Sequence, residues 1–127
     1  MKRVVVDMHN KLFSDAISDV LHRFDSEYVV YQREGTASVE ELCRDVRANI
    51  LILEVTAYAP WQLDTQLALR RRLRTICPEC RVALVVDEVH ERPLADKVRR
   101  AKKDGLIDGF IYGSVSSAYL SAVIDTL

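Results

Sequence analysis

Acidic side chains follow several short apolar runs of this sequence, each at the point where the run ends. The residues concerned are Asp7, Glu54, Asp87 and Glu88. If those runs are neighbouring strands of one sheet, their carboxylate oxygens could together hold a divalent cation. The alternative is that the charged residues only mark where buried strands emerge into water. The spacing by itself leaves both possibilities open.

A second pattern with chemical potential is Cys77-Pro78-Glu79-Cys80, which has the spacing of a thiol redox pair or of half a zinc site. A redox pair favours a helix N-terminus, where the helix dipole lowers the pKa of the thiol. This motif instead follows a predicted helix, so the dipole has the opposite sign. The other residues that could complete a metal site are Cys43, His9, His22 and His90. We predict an ordinary loop and no bound metal.

Basic residues cluster in two predicted helices, at Arg70, Arg71, Arg72 and Arg74 and again at Arg99, Arg100, Lys102 and Lys103. No aromatic residues are interleaved with them, as a surface that stacks nucleic-acid bases would require. The formal net charge of −1 gives no general attraction to nucleic acid or to an anionic membrane. We therefore predict solvated helix faces and no direct binding of nucleic acid.

The composition is that of an ordinary folded domain. Of the 127 residues, 49% are hydrophobic and 29% are charged, so we expect a single domain over residues 1–127. No apolar run approaches the roughly 20 residues of a membrane helix. Charged residues close to the N-terminus disfavour a secretory signal. The odd number of cysteines, three, disfavours a disulfide framework, and we expect a cytoplasmic protein.

Short apolar runs alternate with longer amphipathic stretches along the whole chain. The runs predict five strands, near residues 4–6, 28–31, 50–53, 82–86 and 110–112. The stretches between them predict five helices. Helix starts are indicated by a cap at Asn10, a capping box at Ser38, prolines suited to the first helical position at Pro60 and Pro93, and the apolar spacing from Ser117 onward. Gly105 indicates where the fourth helix stops. This alternation predicts an α/β fold with right-handed crossovers, a flavodoxin-like three-layer (βα)5 sandwich with parallel strand order 2-1-3-4-5.

Four segments carry a resemblance to a known family. Val4-Val5-Val6-Asp7-Met8-His9, followed by Leu12-Phe13, resembles the opening of response-regulator receiver domains. Residues 50–54 resemble their third strand, which ends in the phosphorylated aspartate, and residues 81–86 resemble their fourth. Residues 108–113 with Val115-Ser116 resemble the fifth strand and its exit. The resemblance spans the chain and implies the fold predicted above and a role in two-component signalling.

The sequence departs from the family pattern at the positions that carry the phosphorylation chemistry. Asp7 matches the first of two adjacent acids, but Met8 replaces the second with a thioether, which magnesium does not favour. Glu54 matches the phosphoacceptor aspartate and is one methylene longer. Val86 matches the switch threonine or serine, and Gly113 matches the lysine after the fifth strand. The aromatic switch position is matched by Phe110.

The resemblance therefore implies a degenerate receiver-like module that is neither an enzyme nor phosphorylated. Its acidic pocket would comprise Asp7, Met8, Glu54, Val86, Asp87 and Gly113, with no metal and no cofactor. It would bind a protein partner through the face of the fourth helix, fifth strand and fifth helix, with Tyr112 and Tyr119 as anchors, and it would form a homodimer there. Three alternatives stay open: a functional phosphoacceptor receiver, modified at another acid such as Asp87; the regulatory domain of a transcription factor; and Glu54 as a mimic of the phosphorylated state.

Overall fold

Five short strands rich in valine, leucine and isoleucine form the centre of the molecule, as expected for strands that are covered on both faces. In the computed structural model, which describes residues 2–24, 27–35, 38–114 and 117–127, they are β1 (Lys2–Asp7), β2 (Tyr28–Gln32), β3 (Ile50–Glu54), β4 (Arg81–Val86) and β5 (Gly109–Tyr112). Neighbouring strands are parallel, in the order β2-β1-β3-β4-β5. The predicted fold and strand order are confirmed. Val115 and Ser116, which contributed to the resemblance, lie outside the described residues.

Helices cover both faces of this sheet. They are α1 (Lys11–Phe24), α2 (Val39–Val46), α3 (Leu63–Ile76), α4 (Arg92–Lys103) and α5 (Ser117–Asp125). On one face, Ile17 and Leu21 of α1 and Ile124 of α5 pack against the sheet. On the other face, the core contains residues of α2, α3 and α4, including Cys43, Leu73 and Val98. None of the helices in the described part of the chain has the length and apolar character needed to cross a bilayer.

Several helix ends follow the local signals in the sequence. The Asn10 side chain accepts a hydrogen bond from the Phe13 N–H at 3.1 Å, which caps α1. The Ser38 hydroxyl accepts from the first turn of α2. Gly105 follows α4 with a φ of +77°, a conformation that favours glycine. These three predictions are confirmed.

The prediction that Pro60 opens the third helix is wrong. Residues 58–61 form a turn, closed by the Trp61 N–H donating to the Tyr58 carbonyl at 2.9 Å, and Pro60 follows a cis peptide bond within it. The helix begins only at Leu63, after Gln62 in the cap position. The loop between β3 and α3 is consequently long enough to reach over the edge of the sheet.

Arg70 departs from the predicted solvated face of α3. Its side chain is largely buried, and its Nη2 lies 3.1 Å from Asp108 Oδ1, while Nη1 donates to the Gly105 carbonyl at 3.1 Å. Asp108 Oδ2 in turn accepts the Val82 N–H at 2.8 Å. Arg70 therefore ties α3 to β4 and to the loop before β5. Arg71, the next residue, is exposed as predicted.

Candidate functional site

A cleft of about 450 Å³ lies at the carboxyl edge of the sheet, between the loops that follow β1, β3, β4 and β5. This edge is where open parallel sheets usually bind ligands. Four of the predicted pocket residues line the cleft: Met8, Glu54, Asp87 and Gly113. Apolar side chains, including Phe13, Val55 and Val85, line it as well. The structure therefore brings together most of the predicted pocket, on an apolar base.

Asp7 is part of the predicted pocket but is engaged elsewhere. Its Oδ1 accepts a hydrogen bond from Arg33 Nε at 2.7 Å, and the two side chains are only 12% and 26% exposed. Arg33 follows β2; its backbone N–H donates to the Val6 carbonyl at 3.0 Å, and its Nη1 donates to the Gly35 carbonyl at 3.2 Å. A guanidinium of the same chain thus neutralises the carboxylate at the end of β1.

Glu54 is half-buried and is held in place by its neighbours. Its Oε1 accepts the Asn10 backbone N–H at 3.0 Å, at the start of α1. Its backbone carbonyl accepts from Gln66 Nε2 on α3 at 2.8 Å. These two contacts tie Glu54 to the start of α1 and to α3. Glu54 is therefore a fixed negative charge on the wall of the cleft.

The placement of Val86 in this pocket is wrong. Val85 is the register partner of Glu54, and alternation along β4 puts Val86 on the opposite face of the sheet. Val86 is buried there with Val5 and Leu84, in the core under α2, α3 and α4. The residue of this strand end that shares the cleft with Glu54 is Asp87. A carboxylate is therefore the side chain that the end of β4 contributes to the cleft.

Asp87 organises the loop between β4 and α4. Its Oδ1 accepts the backbone N–H groups of Val89 and His90 at 3.1 and 3.0 Å, and its Oδ2 lies 2.8 Å from His90 Nδ1. Hydrogen bonds from the His90 backbone and then from its imidazole lower the pKa of Asp87 below its ordinary value. Asp87 is therefore ionised at neutral pH, and both of its carboxylate oxygens accept hydrogen bonds within its own turn.

Gly113 leaves part of the cleft wall open. A Cβ built on this residue would lie 3.7 Å from the Val86 carbonyl oxygen and 4.0 Å from the Asp87 Cα, which are ordinary contact distances. The absence of a side chain here is consequently not forced by crowding. The backbone is fixed, because the Gly113 N–H donates to the Val86 carbonyl at 2.9 Å.

Of the predicted switch and partner residues, Phe110 and Tyr112 lie on the side of β5 that faces α4, and Tyr119 lies on α5, which covers the opposite face of the sheet. Phe110 packs against the core, and its ring centroid is 5.4 Å from that of Tyr112. The Tyr112 hydroxyl accepts from Arg99 Nη1 at 2.6 Å. Tyr119, on α5, is half exposed. Tyr112 is thus fixed against α4, whereas Tyr119 presents its ring to solvent.

The cysteines lie close to one another at the opposite end of the sheet, and all three are free thiols. Burial raises the pKa of the Cys77 thiol, and hydrogen bonding to Cys43 raises that of Cys80. Raised thiol pKa values oppose redox chemistry and metal binding, both of which need the thiolate. Among the described residues, no group of three or more potential ligands could hold a metal ion.

Comparison with solved structures gives one consistent result. A response regulator receiver domain protein of Clostridium thermocellum superposes with a TM-score of 0.75 at 14% identity, over 99% of this chain and 93% of that one. The protein has a receiver-domain fold. A DNA-binding response regulator of the LuxR family from Staphylococcus aureus gives a TM-score of 0.73 at 12% identity, covering 99% and 98% of the two chains. A CheY-like protein of Pseudomonas aeruginosa gives 0.71 at 22% identity, covering 99% and 92%.

No protein-family model matches the sequence, and no curated protein matches it either. The resemblance predicted from the sequence is therefore confirmed as a resemblance of fold. At these sequence identities a shared fold does not imply a shared chemistry. The function depends on the residues of the site.

Proposed function

We propose that the protein is a degenerate receiver-like signalling module, a single domain that acts by binding another protein and is not phosphorylated. The observation that carries this proposal is the ion pair between Asp7 and Arg33. By resemblance, Asp7 corresponds to one of two acids that hold a metal ion, and Met8 stands in place of the other. A guanidinium already neutralises the one remaining acid, so a cation there would have to displace it.

The other contacts of the cleft argue in the same direction. Phosphoryl transfer depends on positioning and on positive charge around the equatorial oxygens of the phosphoryl group. Gly113 provides no lysine, and Asp87 brings a negative charge to the cleft that Glu54 also lines. A phosphoryl group on Glu54 would be repelled by Asp87 without a compensating cation. These substitutions all raise the barrier to phosphorylation.

The partner surface that we propose is the face of α4, β5 and α5. It presents one fixed aromatic side chain, Tyr112, whose hydroxyl is bonded to Arg99, and one exposed aromatic side chain, Tyr119. Aromatic residues contribute strongly to protein interfaces. We propose a protein partner or a second copy of this chain on this face, in the cytoplasm, where three free thiols are stable.

A second candidate function is the regulatory domain of a transcription factor. The superposition with a DNA-binding response regulator of Staphylococcus aureus favours this possibility. The sequence of the reading frame on either side of this chain discriminates between the two candidates, because a transcription factor would also encode a DNA-binding domain.

Incubation of the purified protein with acetyl phosphate and magnesium, followed by intact mass measurement, tests the proposal. A receiver known to accept phosphate from this donor serves as the positive control. We expect the mass of this protein to remain unchanged. A stoichiometric gain of one phosphoryl group would refute the proposal in favour of a functional phosphoacceptor.

A further inference from the structure

The cleft at the carboxyl edge combines an apolar base with exposed apolar side chains at its rim. Met8, Val55 and Val85 are buried beneath it. Tyr58 and Val89, from the loops on either side, line it and are 76% and 62% exposed. Large apolar side chains exposed together around a concave surface are a common sign of a binding site.

The charge of the cleft has one sign. Glu54, Asp87 and Glu91 all line it, and the described lining residues include no lysine or arginine. His90 and Tyr58 are the other ionisable side chains among the described lining residues. Three carboxylates over an apolar base produce a negative potential, which attracts cations and repels phosphate and other anions.

Each of these carboxylates is held by the backbone of a different loop. Glu54 Oε1 accepts from the Asn10 N–H at 3.0 Å, and Glu91 Oε1 accepts from the Ala57 N–H at 3.1 Å. Asp87 is held by the N–H groups of its own turn and by the His90 imidazole, whose Nδ1 lies 2.8 Å from Asp87 Oδ2. A carboxylate has about four acceptor positions, so each group keeps the capacity to accept further hydrogen bonds. The acids are therefore fixed in place and still able to bind a cation.

Gly113 borders the cleft without a side chain of its own. It lies beside Asp87 at the end of β5, and a Cβ built on it would meet nothing closer than the Val86 carbonyl oxygen at 3.7 Å. The chain thus has an acidic, apolar cleft and lacks a basic side chain of its own to fill it, within the described residues that line it.

We infer that this cleft receives a lysine or arginine side chain from the partner protein, which enters beside Gly113. The aliphatic stem lies on Met8 and Val85, and the charged head group binds between Glu54, Asp87 and Glu91. Long basic side chains suit such a site, because they bury their stems while the charge stays hydrogen-bonded. This inference rests on the proposed function as a protein-binding module, and it specifies the chemistry of the partner.

NMR titration of the full chain with n-butylammonium, which reproduces the lysine side chain, tests the inference. The matched neutral probe is n-butanol, and ionic strength is held constant. We expect saturable shifts of the Met8, Val55 and Gly113 amides with n-butylammonium and much weaker ones with n-butanol. Equal responses to the two probes, or no saturable shift at these amides, would overturn the inference.

Variants locate the binding of the probe. We expect Glu54→Gln to weaken it about threefold, as for the loss of one accessible ion pair. Glu79→Gln, which removes an exposed acid in the loop between α3 and β4, is the control and should change nothing. Gly113→Lys should abolish binding while the spectrum of the rest of the chain is preserved, since its own lysine fills the cleft. Equal affinity in Glu54→Gln and Glu79→Gln would contradict the inference.

The two proposals fail separately. If the probe does not bind and the protein remains unphosphorylated with acetyl phosphate, only the inference that the cleft receives a basic side chain is refuted. If the protein gains a phosphoryl group, the proposed function itself is refuted, whatever the titration shows.

Discussion

Arg33 Nε donates to Asp7 Oδ1 across 2.7 Å and joins the ends of two neighbouring strands, β2 and β1. Both side chains are mostly buried, so the charges are poorly screened and each depends on the other. In our account this internal cation takes over the role that a metal ion has in a phosphorylated receiver. On this proposal the carboxylate at the end of β1 needs no metal ion to balance its charge.

Removal of the Arg33 guanidinium should destabilise the protein. Arg33→Met leaves the Asp7 carboxylate buried without this partner, and such a group costs about 1–3 kcal/mol of unfolding free energy. Urea denaturation measures the change. The control is Arg44→Met, whose pair with Asp45 is mostly exposed and should contribute less than about 0.5 kcal/mol. Equal effects of the two substitutions would show that the Asp7–Arg33 pair has no special role.

Arg70 should be the most important basic residue of α3 for stability. Its guanidinium binds both the Asp108 carboxylate and the Gly105 carbonyl, so Arg70→Met leaves a largely buried carboxylate without its nearest cation. We expect a loss of about 3 kcal/mol of unfolding free energy. Arg71→Met, at an exposed neighbouring position, should change it by less than about 0.5 kcal/mol. The interpretation fails if denaturation gives similar values for both variants.

The β4–α4 loop should lose stability in acid through Asp87. Hydrogen bonds from His90 lower the pKa of Asp87 in the folded protein. A depressed pKa means that the stabilisation is fully present above the unfolded-state pKa of about 3.9 and is lost as the pH falls through the lower folded value. Titration of the side-chain carboxyl carbon by NMR should place the midpoint for Asp87 below the unfolded-state value of about 3.9. A midpoint at or above that value would contradict the hydrogen-bonded turn.

Self-association should depend on Tyr119. If the face of α4, β5 and α5 forms a homodimer, light scattering at tens of micromolar should give a mass above that of the monomer. Tyr119→Ser removes a half-exposed ring and should shift the equilibrium towards monomer. A matched change outside this face, Tyr58→Ser in the loop between β3 and α3, should leave the mass measured by light scattering at the wild-type value. A wild-type protein that stays monomeric would exclude this dimer.

The fold was predictable because each of its signals is local. Continuous apolar runs such as residues 50–53 predict buried parallel strands, and their alternation with amphipathic stretches predicts crossovers. Helix boundaries followed caps that act within one turn, as at Asn10 and Ser38. The prediction of a helix start at Pro60 was wrong because a proline suits a turn as well as the first position of a helix. In this protein it lies in the turn of residues 58–61.

The site was less predictable, for two physical reasons. A strand that is buried on both faces has no alternation of polar and apolar residues, so nothing in residues 82–86 distinguishes the cleft side from the core side. This is why Val86 is predicted in the pocket together with Asp87, although only Asp87 lines the cleft. The partner of Asp7 lies 26 positions away at Arg33, and only the pairing of β1 with β2 brings them together.

Some of the missed information was present in the sequence. Gln66, Leu69, Arg70 and Leu73 are spaced by three and four residues and lie on the buried side of α3. Helical periodicity could therefore have separated Arg70 from its exposed neighbours. Asp108, the acid that it meets, could not have been identified in this way, since it lies beyond the next strand and helix.

Magnesium binding is the most direct test of the central claim, that the pocket is complete without a metal ion. Magnesium chloride is titrated into the labelled protein at constant ionic strength, and the amide signals of Asp7, Met8 and Glu54 are followed by NMR. A variant that carries Arg33→Met and Met8→Asp provides the comparison, because it restores two unpaired acids at the end of β1. The account predicts no saturable shift of these signals in the unmodified protein at millimolar magnesium. Saturable binding localised to these amides, with Arg33 in place, would contradict it.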